Sequence, residues 1–130
     1  ISGSMPACPK IHMGYVDVRD VAKAHIFSMT EEKTNGERII VSENEMFFAE
    51  VGKTLNAAGF KKSPTKEMPN FLVKIMSLFV GELKTLLSAL NRKGDIDKTK
   101  AKSFFNWDYI STEQSVTETA QQLQDMGLTK

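Results

Sequence analysis

Two tyrosines, two histidines and one cysteine are the side chains in this 130-residue sequence best suited to proton transfer, nucleophilic attack or metal binding. A tyrosine tuned by a neighbouring lysine can protonate a developing alkoxide. This chain has no Tyr-x-x-x-Lys pair: Tyr15 is followed four residues on by Arg19, and Tyr109 by Glu113. It also has no Gly-rich loop of the kind that cradles a dinucleotide pyrophosphate. Cys8 sits beside Pro9 with no histidine placed to activate it, so it reads as an incidental thiol. His25 stands between Ala24 and Ile26 without an identifiable carboxylate partner and reads as a packed or surface residue. His12 has no metal-ligand spacing to His25 or Cys8, so no zinc site is expected. Asp17 and Asp20 flank a helix start, where carboxylates cap and offset the helix dipole, and Arg19 can pair with either. No catalytic, cofactor-binding or metal-ligating residue is therefore assigned.

These groups must be positioned by an alternation of short strands and helices. Residues 1–13 hold Gly3, Pro6 and Pro9 and read as a loop entering the domain. Gly14–Val18 reads as a strand. A helix from Asp17 or Asp20 to about Met29 follows, with Val21, Ala24, His25 and Ser28 on one face. After the Asn35-Gly36 turn, Arg38–Ser42 is β-branched and continuously apolar in its middle, which suits a strand buried on both faces of a parallel sheet. Phe47–Ala58 reads as a helix with Phe48, Val51 and Leu55 on its core face and Gly59 as its stop.

Pro64 and Pro69 bracket an extended stretch. From Asn70 to about Leu90 the apolar spacing predicts one helix, with Leu72, Ile75, Met76, Phe79 and Leu83 on its core face and Lys74, Ser77 and Lys84 opposite. Phe71, Val73, Leu78 and Val80 widen the apolar arc, so this helix must be well covered or must line a pocket. Asp97 can start a short helix over Lys98–Phe105. Ser111 and Gln114 stand at capping-box spacing before a last helix, Thr112–Met126, which Gly127 ends. Phe104, Phe105 and Trp107 read as an aromatic anchor for the C-terminal helices.

Composition is that of a globular domain with a real core: 41% hydrophobic and 25% charged residues, with a net charge of +1. Both charge signs are interspersed, so no basic stripe marks a nucleic-acid site. A lone cysteine precludes an internal disulfide and fits a reducing compartment; a cytoplasmic location is expected. The apolar stretch Phe71–Leu83 is too short to span a bilayer.

Read in order, Gly3-x-Met5-Pro6, Tyr15-Val16-Asp17-Val18-Arg19-Asp20-Val21-Ala22-x-Ala24-His25, Gly36-x-Arg38-x-Ile40-Val41-Ser42, Phe48-Ala49-Glu50-Val51, Pro64-Thr65-Lys66, Asp97-x-x-Lys100-Ala101, Trp107, Ser111-x-Glu113 and Thr119-Ala120 carry a resemblance. The set resembles the C-terminal half of extended short-chain dehydrogenase/reductases of the NAD-dependent epimerase/dehydratase superfamily, in the dihydroflavonol 4-reductase / cinnamoyl-CoA reductase / 3β-hydroxysteroid dehydrogenase-like branch. The resemblance implies an α/β fold: the C-terminal part of a Rossmann-type enzyme, mostly helical with a few short strands, lacking the N-terminal dinucleotide-binding half. The absent initiator Met at Ile1 agrees with that expectation.

On this resemblance, residues 14–60 complete the nucleotide-binding sheet, 61–110 form a substrate-binding lobe and 111–130 form the C-terminal helix. It implies a parent enzyme in which NADPH delivers hydride to a carbonyl of a small, largely apolar substrate. The catalytic Tyr and Lys and the NADP site lie outside this chain, which alone is expected to be inactive. Met13, Met68, Leu72, Met76 and Phe79 are the expected pocket-lining residues. The expected partners are the substrate and the N-terminal half of the same protein, without nucleic acid or membrane, and self-association through an exposed sheet edge. Nucleotide-sugar epimerases place a phosphate-binding Arg where Met13 stands, and a thioether cannot pair with phosphate. A portion of such an epimerase or dehydratase, and a non-catalytic interaction domain, are the alternative readings.

Overall fold

The structure is a computed structural model that describes residues 3, 6–79 and 81–129, apart from the side chains of residues 81–83. Met5, Val80 and the side chain of Leu83, named above, lie outside the described residues. Helix α1 spans Val18–Thr30 and begins where expected: Asp17 is its N-cap, its carboxylate accepting from the Arg19 backbone N–H. Helix α2 spans Phe48–Ala57. Its first turn is closed by Glu50, whose carboxylate accepts the Phe47 N–H at 2.6 Å. Gly59 follows α2 at φ +105°, a conformation that favours glycine past a helix end.

Strand β1, His12–Tyr15, pairs antiparallel with strand β2, Asn44–Phe47, in the register His12 to Phe47 and Tyr15 to Asn44. The expected strand at Gly14–Val18 thus starts two residues earlier and ends at Tyr15, because Asp17 is drawn into capping α1. The expected strand at Arg38–Ser42 is not one. The segment is extended, yet among the described residues its backbone N–H and C=O groups make no hydrogen bond. A ladder needs a neighbour, and no described segment supplies one there. Its pairing strand is instead the next segment, Asn44–Phe47, whose period was hidden by the adjoining helix.

The expected single helix over residues 70–90 is broken. Helix α3 spans Asn70–Met76 and helix α4 spans Gly81–Leu86, followed by a 3-10 turn at Leu87–Ala89. Its expected core face is also largely exposed. Val73 and Ser77 are buried, whereas Phe71, Leu72, Ile75, Met76, Leu78 and Phe79 are exposed. Ser77 tolerates burial because its hydroxyl donates to the Lys74 carbonyl and its N–H to the Val73 carbonyl. Among the described residues, no surface covers these large side chains.

Helices α5, Thr99–Phe104, and α6, Thr112–Asp125, complete the fold, and α6 packs against α2. Ser111 caps α6 by accepting the Gln114 N–H, as its spacing predicts. The core gathers Ala24, Ala101 and Phe105, with Phe27, Ile39, Val41 and Trp107 packed on them. Trp107 stacks on Phe105 at 4.8 Å and meets Phe27 edge-on at 5.9 Å, so the aromatic group is the anchor that its sequence position suggests.

Candidate functional site

A dense set of polar contacts lies at the entry to α1. Arg19 forks onto Asp17, with Nε to Oδ1 at 2.8 Å and a terminal nitrogen to Oδ2 at 2.9 Å. The same guanidinium reaches Glu118 on α6 at 2.7 Å. These bonds from Arg19 hold the Asp17 carboxyl well below the usual carboxylate range despite its burial. Glu118 is lowered too, first by a hydrogen bond from Gln114 and then by Arg19. A carboxyl depressed in the folded state stabilises the fold above the ordinary carboxylate range and loses that contribution as pH falls through it. The melting temperature should therefore drop on acidification below about pH 4. In a pH series of melts, Asp17→Asn should show the shallower acid loss; an identical loss would detach Asp17 from acid sensitivity.

Asp20 stands in the first turn of α1, where its charge offsets the helix dipole, and it does more. It is fully buried, accepts the Ile110 backbone N–H at 2.7 Å and takes the Lys23 ammonium at 3.2 Å. Glu43 does similar work, accepting both the N–H and the hydroxyl of Thr112 at the start of α6. Each carboxylate ties an N-terminal segment to the chain entering α6. No signal in the sequence points to either pairing, since the partners stand 90 and 69 residues apart. Asp20→Ala should lower stability by about 1.5–3 kcal/mol, the range for a hydrogen bond to a charged group. Urea melts of Asp20→Ala and Asp20→Asn measure this; an unchanged midpoint in both would refute the link.

None of these groups is poised for bond chemistry. Burial pushes both tyrosine phenols up, Tyr15 with Cys8 as a lesser cause and Tyr109 with Asp20. A tyrosine acid tuned by a lysine is shifted the opposite way. Cys8 is buried, its thiol facing the Pro64 carbonyl, and burial raises its pKa as well. His25 is exposed, with Nδ1–H donating to the Val21 carbonyl at 2.8 Å.

Of the five expected pocket residues, Leu72 and Met76 share one arc of α3, and Phe79 follows in the turn after it, its N–H on the Met76 carbonyl. Met13 is exposed on β1 opposite Met46. Met68 is half-buried, its N–H donating to the Cys8 carbonyl at 2.7 Å. An open cleft of about 410 Å³ lies elsewhere, between α1 and the extended segment, with Ala24, His25, Ser28, Glu37, Ile39 and Phe105 in its walls; none of the five belongs to it.

The fold is that of part of a Rossmann-type extended reductase. The crystal structure of Gre2 in complex with NADPH from Candida albicans matches 95% of this chain and 34% of its own, at a TM-score of 0.66 and 25% identity. Yeast methylglyoxal/isovaleraldehyde reductase Gre2 complexed with NADPH matches 98% of this chain and 37% of its own, at a TM-score of 0.69 and 24% identity. In sequence, the chain is 28% identical over 115 residues to the NADPH-dependent methylglyoxal reductase GRE2 of Saccharomyces cerevisiae, covering 88% of this chain and 30% of that protein. No protein-family model matches. The chain thus spans about a third of the length of these relatives. The likenesses support the extended short-chain dehydrogenase/reductase superfamily that the motifs resemble.

Among the described residues, the starts of α1, α2 and α6 do not fit the phosphates of the NADPH seen with these relatives. A pyrophosphate sits on the open N-terminus of a helix. Here α1 begins on the Asp17 carboxylate, α2 on Glu50, and α6 on Ser111 with Glu43 at the Thr112 N–H. Three of these four are anionic groups, which repel phosphate.

Proposed function

We propose that this chain is the C-terminal, substrate-side part of an NADPH-dependent reductase that acts on the carbonyl of a small, largely apolar molecule. The dihydroflavonol 4-reductase / cinnamoyl-CoA reductase / 3β-hydroxysteroid dehydrogenase-like branch is the finer placement within this reading. The observation that carries it is the match of 88% of the chain to a methylglyoxal reductase. That relative's named substrate carries reducible carbonyls, so carbonyl reduction is the chemistry in common.

The physical character of the chain agrees. Both described tyrosines are raised rather than lowered, so the chain contributes specificity and water exclusion while the remaining polypeptide does the bond chemistry. In this proposal residues 14–60 complete the nucleotide-binding sheet, 61–110 form the substrate lobe and 111–130 are the C-terminal helix. Leu72, Met76 and Phe79 offer an apolar wall, with Met13 and Met68 as further lining. A cytoplasmic location belongs to the same reading; no described helix is long and apolar enough to cross a membrane.

In the natural polypeptide that carries these residues, Met76→Ala should leave the melting temperature nearly unchanged, since Met76 is already 42% exposed in this chain. It should shift relative kcat/KM between small and bulky aldehydes by roughly 10- to 200-fold. The 130-residue chain alone should neither oxidise NADPH nor bind it. Saturable NADPH binding to the isolated chain in calorimetry, or a Met76→Ala variant that loses stability without altered selectivity, would overturn this placement.

A further inference from the structure

Residues 34–37 form a type II turn whose central peptide joins Asn35 to Gly36. Asn35 has φ −61° and ψ 126°, Gly36 has φ +74°, and the Glu37 N–H closes the turn on the Thr34 carbonyl at 3.0 Å. The frame around that peptide is fixed. The Asn35 N–H donates to the Glu32 carbonyl at 3.0 Å. Thr34 is buried, and its hydroxyl lies 3.1 Å from the Ser28 carbonyl and 2.7 Å from that of Glu31.

The central peptide itself is left open. Asn35 and Gly36 are both exposed. Among the described residues the Gly36 N–H has no acceptor and the Asn35 side chain has no hydrogen-bond partner. A Cβ built on Gly36 would meet nothing within 4 Å, so no atom crowds the nitrogen that the Asn35 side chain can reach. The other asparagines lack this combination. Asn44 is fixed in β2, its side-chain oxygen accepting the Glu45 N–H at 2.9 Å. Asn56 lies inside α2 and donates to the Lys61 carbonyl at 3.2 Å. The amide after Asn91 is held by the Ala89 carbonyl at 3.3 Å. Asn70 and Asn106 precede the bulky Phe71 and Trp107.

We propose that Asn35–Gly36 is a site of spontaneous deamidation. The Gly36 backbone nitrogen attacks the Asn35 Cγ. A new N–Cγ bond closes a succinimide ring as the Cγ–Nδ2 bond breaks, and ammonia leaves with the amide proton. Water then opens the ring at either carbonyl, giving aspartate or isoaspartate with no change of oxidation state. Either product puts a carboxylate in the wall of the open cleft beside α1, which Asn35 and Gly36 line. The isoaspartate also routes the main chain through the former side-chain methylene. That lengthens the turn and moves the Glu37 N–H off the Thr34 carbonyl.

Tryptic peptide mapping by mass spectrometry tests this on the natural polypeptide, incubated folded at mildly alkaline pH and in parallel in urea. Trypsin cuts after Lys33 and Arg38 and releases Thr34–Arg38 as one peptide. In the folded protein this peptide should gain one mass unit at a rate comparable to that in urea, while the peptides carrying Asn44, Asn56 and Asn91 lag far behind. The rate should rise in proportion to hydroxide, because the attacking nitrogen must lose its proton. Gly36→Ala should slow the gain in urea, where turn strain plays no part and only the added Cβ obstructs the ring. Conversion in urea but not in the folded polypeptide would overturn the proposal. A product that is aspartate alone would also overturn it, since direct hydrolysis of the side-chain amide gives no isoaspartate.

Discussion

Phe105→Ala should destabilise the chain by about 3–5 kcal/mol, the cost of truncating a buried phenylalanine to alanine. Phe105 is 5% exposed and meets Phe27 edge-on at 5.4 Å with the rings 89° apart, while Trp107 stacks on it at 4.8 Å. Removing the ring takes the shared contact from three elements at once: α1 through Phe27, the end of α5, and the segment entering α6 through Trp107. The site cannot easily collapse, because Ala24 and Ala101 on its other sides have no side-chain length to fill the gap. Phe79→Ala is the matched control. It removes the same ring from a position that is 84% exposed and should change stability by no more than about 0.5 kcal/mol in this chain. Denaturant melts of the two variants measure the contrast. Equal effects at the two positions would mean that the core does not centre on Phe105.

Gly52→Ala should also be damaging, against the grain of helix propensity. Alanine is favoured over glycine by about 1 kcal/mol inside a helix. At this position, however, a Cβ would lie 1.8 Å from the Pro64 carbonyl oxygen and 2.9 Å from its carbon. Both groups are backbone, so neither can swing aside. The Pro64 segment is further tied by the parallel bridge of Cys8 with Glu67, in which Cys8 donates to the Lys66 carbonyl at 2.9 Å. The clash therefore outweighs the propensity gain, and a net loss of roughly 1–3 kcal/mol is expected, with the upper end favoured by the rigidity of both partners. Gly14 makes an instructive comparison. A Cβ there would meet the Ile96 Cδ1 at 2.3 Å, the far end of a side chain that can rotate away. Gly14→Ala should accordingly cost less than Gly52→Ala in the same melts; the reverse order would be incompatible with this packing of α2.

Elements whose cause is local were legible in the amino-acid order. Asp17 and Ser111 stand immediately before α1 and α6 and cap them by bonds that reach two or three residues ahead. Gly59 and Gly127 follow helix ends with positive φ, a local steric preference of glycine. The aromatic run around Phe105 was recognisable as core because large rings are costly to leave in water. The long apolar stretch after Pro69 was legible as helical in type but not in extent or facing. Periodicity says only that an arc is apolar; the presence of a surface to cover it decides whether it is buried. In this chain Val73 and Ser77 meet such a surface, while Leu72, Met76 and Phe79 do not.

By itself, then, the sequence determined the helical caps, the aromatic anchor, the absence of a Tyr–Lys pair and of a glycine-rich loop, and the resemblance that the relatives support at the level of the superfamily. Only the tertiary structure decided that β1 takes β2 as an antiparallel neighbour, that Asp20 is a buried strut for Ile110, and that Lys98 and Lys100 pair with Glu45 and Glu37. The division has one physical reason. Caps and turns are satisfied within a few residues, so their energy is written in short patterns. A buried carboxylate or an open backbone edge is satisfied by whatever distant segment the closed chain brings beside it, and no short pattern records that partner.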